Sequence, residues 1–268
     1  DEVLGGNPVK GSAVVMKVQS GEIIAMVSKP SFDPNTFAAG ISRNKWNSLV
    51  MDEKNPLQNR TIDGQYPPAS TYKIVTAYAA LSEKIIKPES TIFCPGHFRL
   101  GKRKYRCWKK RGHGNMNLHD ALVQSCDVYF YTLGQRLGIN NLAKYARKLG
   151  LGEFTGIELN GEKSGLVPSE PWKKKFKNEV WYPGETISAS IGQGYNLVTP
   201  LQSARMISTI ATGGLVVRPY LVKKIKDSDG NLIQEFFPEV IKNIEIDSEI
   251  LKHLKEGLRG VVHEAHGT

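Results

Sequence analysis

The sequence predicts an α+β fold, in which an antiparallel sheet packs against helices beside an all-helical region. Three observations predict it. β-rich runs over 12–18 and 23–27 flank a turn bearing Gly21 and read as a hairpin. Apolar residues recur at helical spacing at Leu201, Ala204, Ile207 and Ile210, and again at Ile250, Leu251, Leu254 and Leu258. The 268 residues are 40% hydrophobic and 23% charged, ordinary for a globular chain with ample core, as one large domain or two small ones.

Taken in order, the hairpin at 12–27 is apolar almost throughout, as in a sheet covered by other elements. Residues 28–66 are rich in Pro, Asn and Asp and read as irregular chain with a weak helical signal at 45–50. Pro67 and Pro68 cannot sit inside a helix but can deliver the chain to one. Ile74, Val75, Tyr78, Ala79 and Leu81 then bury a helix expected to end at 84–87. Residues 93–117, with Gly96, Gly101, Gly112 and Gly114, read as a compact loop. Asn117, with Asp120 three residues on, starts a helix expected to carry Ser125 and Val128 and to continue to 137. Another runs over 140–149 and stops at Gly150-Leu151-Gly152. Residues 153–198 read as loops. Thr199-Pro200-Leu201-Gln202 combines a cap, a first-turn proline and a capping-box glutamine, and its helix ends at Gly213-Gly214. A hairpin over 220–225 and 232–236 turns at Asp229-Gly230, and an amphipathic helix closes the chain.

No apolar run approaches a membrane span, and no signal peptide opens the chain. It begins at Asp1 without an initiator Met, so it is expected to be a piece of a longer protein, with 1–9 a linker remnant and 10–268 the domain. The net charge of +10, from 36 basic and 26 acidic residues, favours anionic partners without choosing among them.

Ser70 and Lys73 are one helical turn apart and share a face. A serine hydroxyl needs a base within reach, and a lysine serves when burial lowers its pKa. The positive end of a helix favours the charge that develops on the serine oxygen. The same spacing also occurs as a capping serine with a solvated lysine. Ser125 and Asp127 place a second hydroxyl and a carboxylate two residues apart, although Ser125 alone reads rather as a capping or helix-face serine.

Cys94, Cys107, His113 and Cys126 are separated by 12, 5 and 12 residues and amount to a full tetrahedral zinc shell. The alternatives are a Cys94–Cys107 disulfide with Cys126 a buried thiol, or three free thiols. His97 and His119 are rival ligands. The basic runs at 102–111 and 173–177 read as solvated faces. A sharper reading is contact with an anionic polymer or lipid headgroups. A nucleic-acid loop built on Tyr105 and Trp108 is set aside, because no such module explains the other motifs.

Asn59-Arg60, Gly64 to Pro68, Ser70-Thr71-Tyr72-Lys73, Ser125-Cys126-Asp127, Gly161-Glu162-Lys163, Trp181 to Thr186 and Ile191-Gly192-Gln193-Gly194 follow one another in the order seen in one family. From about residue 10 onward the chain resembles the transpeptidase domain of class B penicillin-binding proteins. Ser-Cys-Asp and the Gly-Gln-Gly context favour the elongation type over the septal type.

The resemblance implies a penicillin-binding/serine β-lactamase-like fold and D,D-transpeptidation of peptidoglycan stem peptides ending in D-Ala-D-Ala. Ser70 would be the nucleophile and Lys73 its base. Ser125 would relay a proton to the leaving amine, with Asp127 placing it, and Ser70 N–H would be an oxyanion donor. No catalytic cofactor is implied. The implied partners are stem peptides, β-lactams and a membrane lipid-II polymerase, and the implied location is the periplasmic face of the inner membrane. The chain departs from the family in lacking Lys-Thr-Gly; the only late Gly-Thr, Gly267-Thr268, follows His266. The sheet is therefore expected to be incomplete and the piece inactive. Ala69, where relatives often have Gly, and Asp127, where many have Asn, are milder departures. The rival functions are a D,D-carboxypeptidase, a β-lactamase and a non-catalytic β-lactam sensor or scaffold.

Overall fold

The computed structural model describes residues 10–38 and 40–268; the expected linker at 1–9 lies outside them. Strands β1 (Gly11–Met16) and β2 (Ile23–Lys29) form the expected hairpin, with Gly21 at φ +79° in its turn. Helices α1 (Asn35–Ala38) and α2 (Arg43–Val50) lie in the irregular stretch that follows. A single 3-10 turn, Ala69–Tyr72, opens directly into α3 (Lys73–Ser82), two residues shorter than the apolar pattern suggested. Every residue of α3 from Lys73 to Leu81 is buried. Burial of Ile74, Val75 and Leu81 contributes about 1.5–3 kcal/mol each, which offsets the cost of taking the Lys73 ammonium out of water.

The expected loop at 93–117 is instead two small antiparallel ladders. β3 (Ile92–Cys94) pairs with β6 (Gly114–Met116), and between them β4 (His97–Leu100) pairs with β5 (Arg103–Arg106). Phe98, Tyr105 and Tyr131 pack ring against ring beneath the β4–β5 hairpin, which is why three- and four-residue strands persist here.

The expected continuous helix after Asn117 is broken. Asn117 does cap α4 (Leu118–Val123), its side chain accepting from Asp120 N. The chain then leaves the helix at Ser125, φ +49°, and restarts as α5 (Asp127–Lys148), which kinks at Gly138, φ +73°. Ser125 therefore projects from a turn and not from a helix face.

Two helices replace the expected loops of 153–198. α6 (Glu170–Lys177) is capped by Ser169, with Pro171 in its first turn, and in α7 (Pro183–Ala189) the Glu185 carboxylate accepts from the backbone N of the cap residue Tyr182. The solvated-face reading fails at Lys173. Its Nζ is buried between Glu185 at 2.6 Å and Glu179 at 3.2 Å, over the rings of Tyr182, Trp181 and Tyr195.

The Thr199–Gln202 capping box starts α8 (Pro200–Thr212), which ends at Gly213 as expected. β7 (Leu215–Val217) pairs with β10 (Val240–Asn243), and β8 (Lys224–Lys226) with β9 (Leu232–Glu235) in the expected hairpin. α9 (Ser248–His263) closes the chain and packs on α4 and α3. Among the described residues the antiparallel sheet is present as five separate two-stranded ladders. The main core is helical, with α5 against α3 and α7. No described helix is long and apolar enough to cross a membrane.

Candidate active site and metal cluster

Ser70 and Lys73 meet the Ser125 turn because α3 and α5 pack side by side. Lys73 is 2% exposed. Its Nζ donates to Asp127 Oδ1 at 2.6 Å, to Ser125 Oγ at 2.9 Å and to Ser125 O at 2.9 Å. Ser125 Oγ lies 3.0 Å from Ser70 Oγ. The four residues singled out in the sequence thus form one hydrogen-bonded chain, in which Lys73 reaches Ser70 through Ser125. The other Asp127 oxygen, Oδ2, accepts from Trp108 N at 3.0 Å. Asp127 therefore places Ser125 by holding Lys73, and both its oxygens are engaged by the protein.

Ser70 is exposed at the edge of an open cleft of about 670 Å³, lined also by Arg106, Trp108, Tyr131, Ile191 and Gln193. Burial pushes the Tyr131 hydroxyl well above its ordinary range, so it is a donor there, and it donates to Arg106 O at 3.2 Å.

The backbone around Ser70 is clamped. Ala69 sits at φ +50°, a conformation costly for a residue with a Cβ. Ala69 N donates to Gly192 O at 3.1 Å, and Tyr66 pairs with Val198 through both backbone bonds at 2.9 Å. Gly192 has φ +71°, and a Cβ there would lie 2.4 Å from Ala69 O. The Gly-Gln-Gly segment is thus the wall against which the Ser70 turn is pressed.

The remaining family segments act as braces. Glu185 ties the start of α7, through Tyr182 N at 2.8 Å, to Lys173. The Glu162 carboxylate accepts from Thr155 N at 2.7 Å and Gly156 N at 3.3 Å. The Arg60 guanidinium binds the carbonyls of Lys54, Asn55 and Gln58.

The sulfurs of Cys94, Cys107 and Cys126 and a nitrogen of His113 all lie within 4.8 Å of one another, and the three cysteines are free. His113 Nδ1 is 3.5 Å from the sulfurs of Cys94 and Cys107, while its buried Nε2 has no partner. The buried Cys107 and Cys126 thiols act on each other, which holds Cys107 below the ordinary thiol range and, together with burial, pushes Cys126 up. Neither rival histidine joins the cluster. His119 pairs with Glu264 at 2.7 Å, and His97 sits opposite Arg106 in the β4–β5 ladder.

Sequence reasoning missed the role of Trp108. Its indole N–H donates to Gln124 O at 3.0 Å and Ser125 O at 3.1 Å, and its ring packs edge-on against His113 at 5.3 Å. It joins the cysteine cluster to the Ser125 turn. Its place immediately after Cys107 was the available signal.

The family model of the penicillin binding protein transpeptidase domain matches residues 11–268. The peptidoglycan D,D-transpeptidase MrdA of Escherichia coli K12 is 38% identical over 261 residues, which are 97% of this chain and 41% of MrdA. The chain therefore spans about two fifths of that relative's length. The crystal structure of Pseudomonas aeruginosa PBP2 in complex with WCK 5153 superposes with a TM-score of 0.89 at 38% identity, covering 99% of this chain and 60% of that one. Helicobacter pylori PBP2, solved as a complex with MreC, superposes at 0.84 with 36% identity, covering 96% of this chain and 46% of that one. The agreement extends over nearly every residue described above, and the chain belongs to the penicillin-binding protein transpeptidase domain family.

Proposed function

We propose that the protein carrying this chain is a serine D,D-transpeptidase that cross-links peptidoglycan stem peptides during cell elongation and is acylated by β-lactams. The observation that carries this reading is the continuous chain Ser70–Ser125–Lys73–Asp127 opening into the cleft. Ser70 Oγ attacks the carbonyl carbon of the D-Ala-D-Ala bond. Its proton passes to Ser125 Oγ, and the Ser125 proton passes to Lys73 Nζ, which accepts it only after one of the three protons it now donates to Asp127 and Ser125 has been given up. Run outward, the same chain protonates the departing D-Ala amine and leaves the acyl group on Ser70. An amine of a second stem then attacks the ester, gives up its proton and frees Ser70. Ser70 N–H, early in a helical turn, has no acceptor one turn back and is the oxyanion donor of this reading. Lys-Thr-Gly, absent from the 268 residues, belongs to this mechanism as a further oxyanion and carboxylate wall.

The test is a donor peptide ending in D-Ala-D-Ala, supplied to the full-length protein with and without an amine acceptor, with products read by mass. A cross-linked product with loss of one D-Ala supports the transpeptidase. D-Ala release by water alone, unchanged by acceptor, would point to a carboxypeptidase, and no turnover beside stable β-lactam binding to a sensor. The setting goes with the reading: the periplasmic face of the inner membrane, with a lipid-II polymerase as partner.

Zinc is the proposed occupant of the Cys94, Cys107, His113 and Cys126 cluster. A tetrahedral ion with bonds of ~2.0–2.1 Å to nitrogen and ~2.3 Å to sulfur sets N and S ~3.6 Å apart, and His113 Nδ1 stands 3.5 Å from two sulfurs. A Cys94–Cys107 disulfide would use two of the four groups and leave His113 without a role. The ion would supply no catalytic step. It would fasten the β3–β6 region to the N-terminus of α5, where Cys126 is the cap residue beside Ser125. Chelation is expected to lower the melting temperature by about 10 °C, and native mass should show one zinc per chain, lost in His113→Ala.

A further inference from the structure

The β4–β5 hairpin has one face buried and one face cationic. Phe98 and Tyr105 point to the core. On the other face the ladder sets His97 opposite Arg106 and Arg99 opposite Lys104. Like charges directly opposite across a ladder destabilise it. Between Ile92 and Asn117 the sequence has eight Lys and Arg residues and no Asp or Glu, and among the described residues neither Arg99 nor Lys104 makes an ion pair. A hairpin that retains this conflict has a use for the charge.

Arg106 ends that face and lines the same cleft as Ser70. Its backbone is held on every side. Arg106 O accepts from Tyr131 OH at 3.2 Å, Cys107 N donates to Gly96 O at 2.9 Å, and Trp108 N donates to Asp127 at 3.0 Å. Among the described residues the Arg106 guanidinium has no hydrogen bond or ion pair. Lys73, buried behind Ser125, does not line the cleft and is occupied by Asp127 and Ser125. Arg106 is thus a fixed root with an unpaired head, and guanidinium binds carboxylate through paired hydrogen bonds.

We infer that Arg106, backed by Lys104 and Arg99, is a specificity-determining residue that holds a carboxylate of the acidic peptide stem whose D-Ala carbonyl is offered to Ser70. The inference rests on the acyl-enzyme reading above and names the side of the substrate that the cleft recognises. A peptide is favoured over a lipid surface because Arg106 shares a concave cleft with the nucleophile.

The probes are benzylpenicillin and carbenicillin, which is the same molecule with one added side-chain carboxylate. Acylation rates are measured by intact mass on the full-length protein, unsubstituted and as Arg106→Gln and Arg106→Lys. Arg106→Gln is expected to slow carbenicillin about ten- to a hundredfold relative to benzylpenicillin, with partial rescue in Arg106→Lys. Lys104→Gln should slow carbenicillin less, raise the melting temperature by removing the Arg99 repulsion, and lose its effect at high salt. Equal losses on both antibiotics would assign Arg106 a structural role and overturn the inference. So would equal rates in all three proteins. Adducts with no carboxylate preference sink this inference alone, whereas no Ser70 adduct in the unsubstituted protein sinks the acyl-enzyme reading and this inference with it.

Discussion

Lys73→Met is expected to slow acylation of Ser70 by a β-lactam about 10²–10⁴-fold, the range for loss of a positioned proton-transfer group, and to destabilise the fold by about 3–5 kcal/mol. Methionine matches the side chain as far as Cε and packs against Phe130, over whose ring Lys73 Nζ now sits at 5.7 Å. It cannot donate to Ser125 or Asp127. The Asp127 carboxylate, 13% exposed, would then keep its charge with Trp108 N as its remaining partner. Most of the stability loss comes from that stranded charge. Asp127→Asn keeps an acceptor for Lys73 and is expected to fall well short of both losses. Adduct formation rates and urea unfolding separate the two effects. A Lys73→Met protein that is destabilised but acylates at the normal rate would remove Lys73 from the proton path.

Gly192→Ala is the second large effect. Its Cβ would stand 2.4 Å from Ala69 O, 2.7 Å from Tyr72 Cβ and 2.8 Å from Ala69 N, at a φ of +71°. Two of those three atoms are backbone, so no side chain can swing away. The positive φ costs about 1–2 kcal/mol and the clash more, for a total of about 3 kcal/mol or above. Relief comes by pushing the Ala69–Ser70 turn out of line, and a shift of about 1 Å at the nucleophile costs on the order of 100-fold in rate. Gly194 is the internal control. It also has a positive φ, but its Cβ would meet only Ser188 Cβ, at 3.6 Å. Gly194→Ala should lose about 1–2 kcal/mol and little acylation rate.

Much of this site was legible because local and tertiary signals agree. The apolar run from Ile74 to Leu81 forced Lys73 into the core, and it is there. The Thr199–Gln202 capping box and the Asn117 cap formed as read. What was hidden is instructive. The β3–β6 and β4–β5 ladders are three and four residues long and crowded with Gly, Lys and Arg, so period-two alternation had no length in which to appear. Helical periodicity on both sides of Ser125 concealed the one residue that turns left-handed. Lys173 sat within a basic run that averages as solvated, although Ser169 and Pro171 marked the start of a helix. The Cys94, Cys107, His113 and Cys126 quartet was readable by residue type and not by spacing, since its members come from β3, the end of β5, the start of β6 and the cap of α5.

Ser70 is the proposed nucleophile of a cleft wired through Ser125 to Lys73. Intact mass after exposure to benzylpenicillin tests this most directly, on the full-length protein and on its Ser70→Ala form. One adduct of the antibiotic's mass is expected on the first and none on the second. An adduct that persists in Ser70→Ala, or no adduct on either, would contradict this role of Ser70.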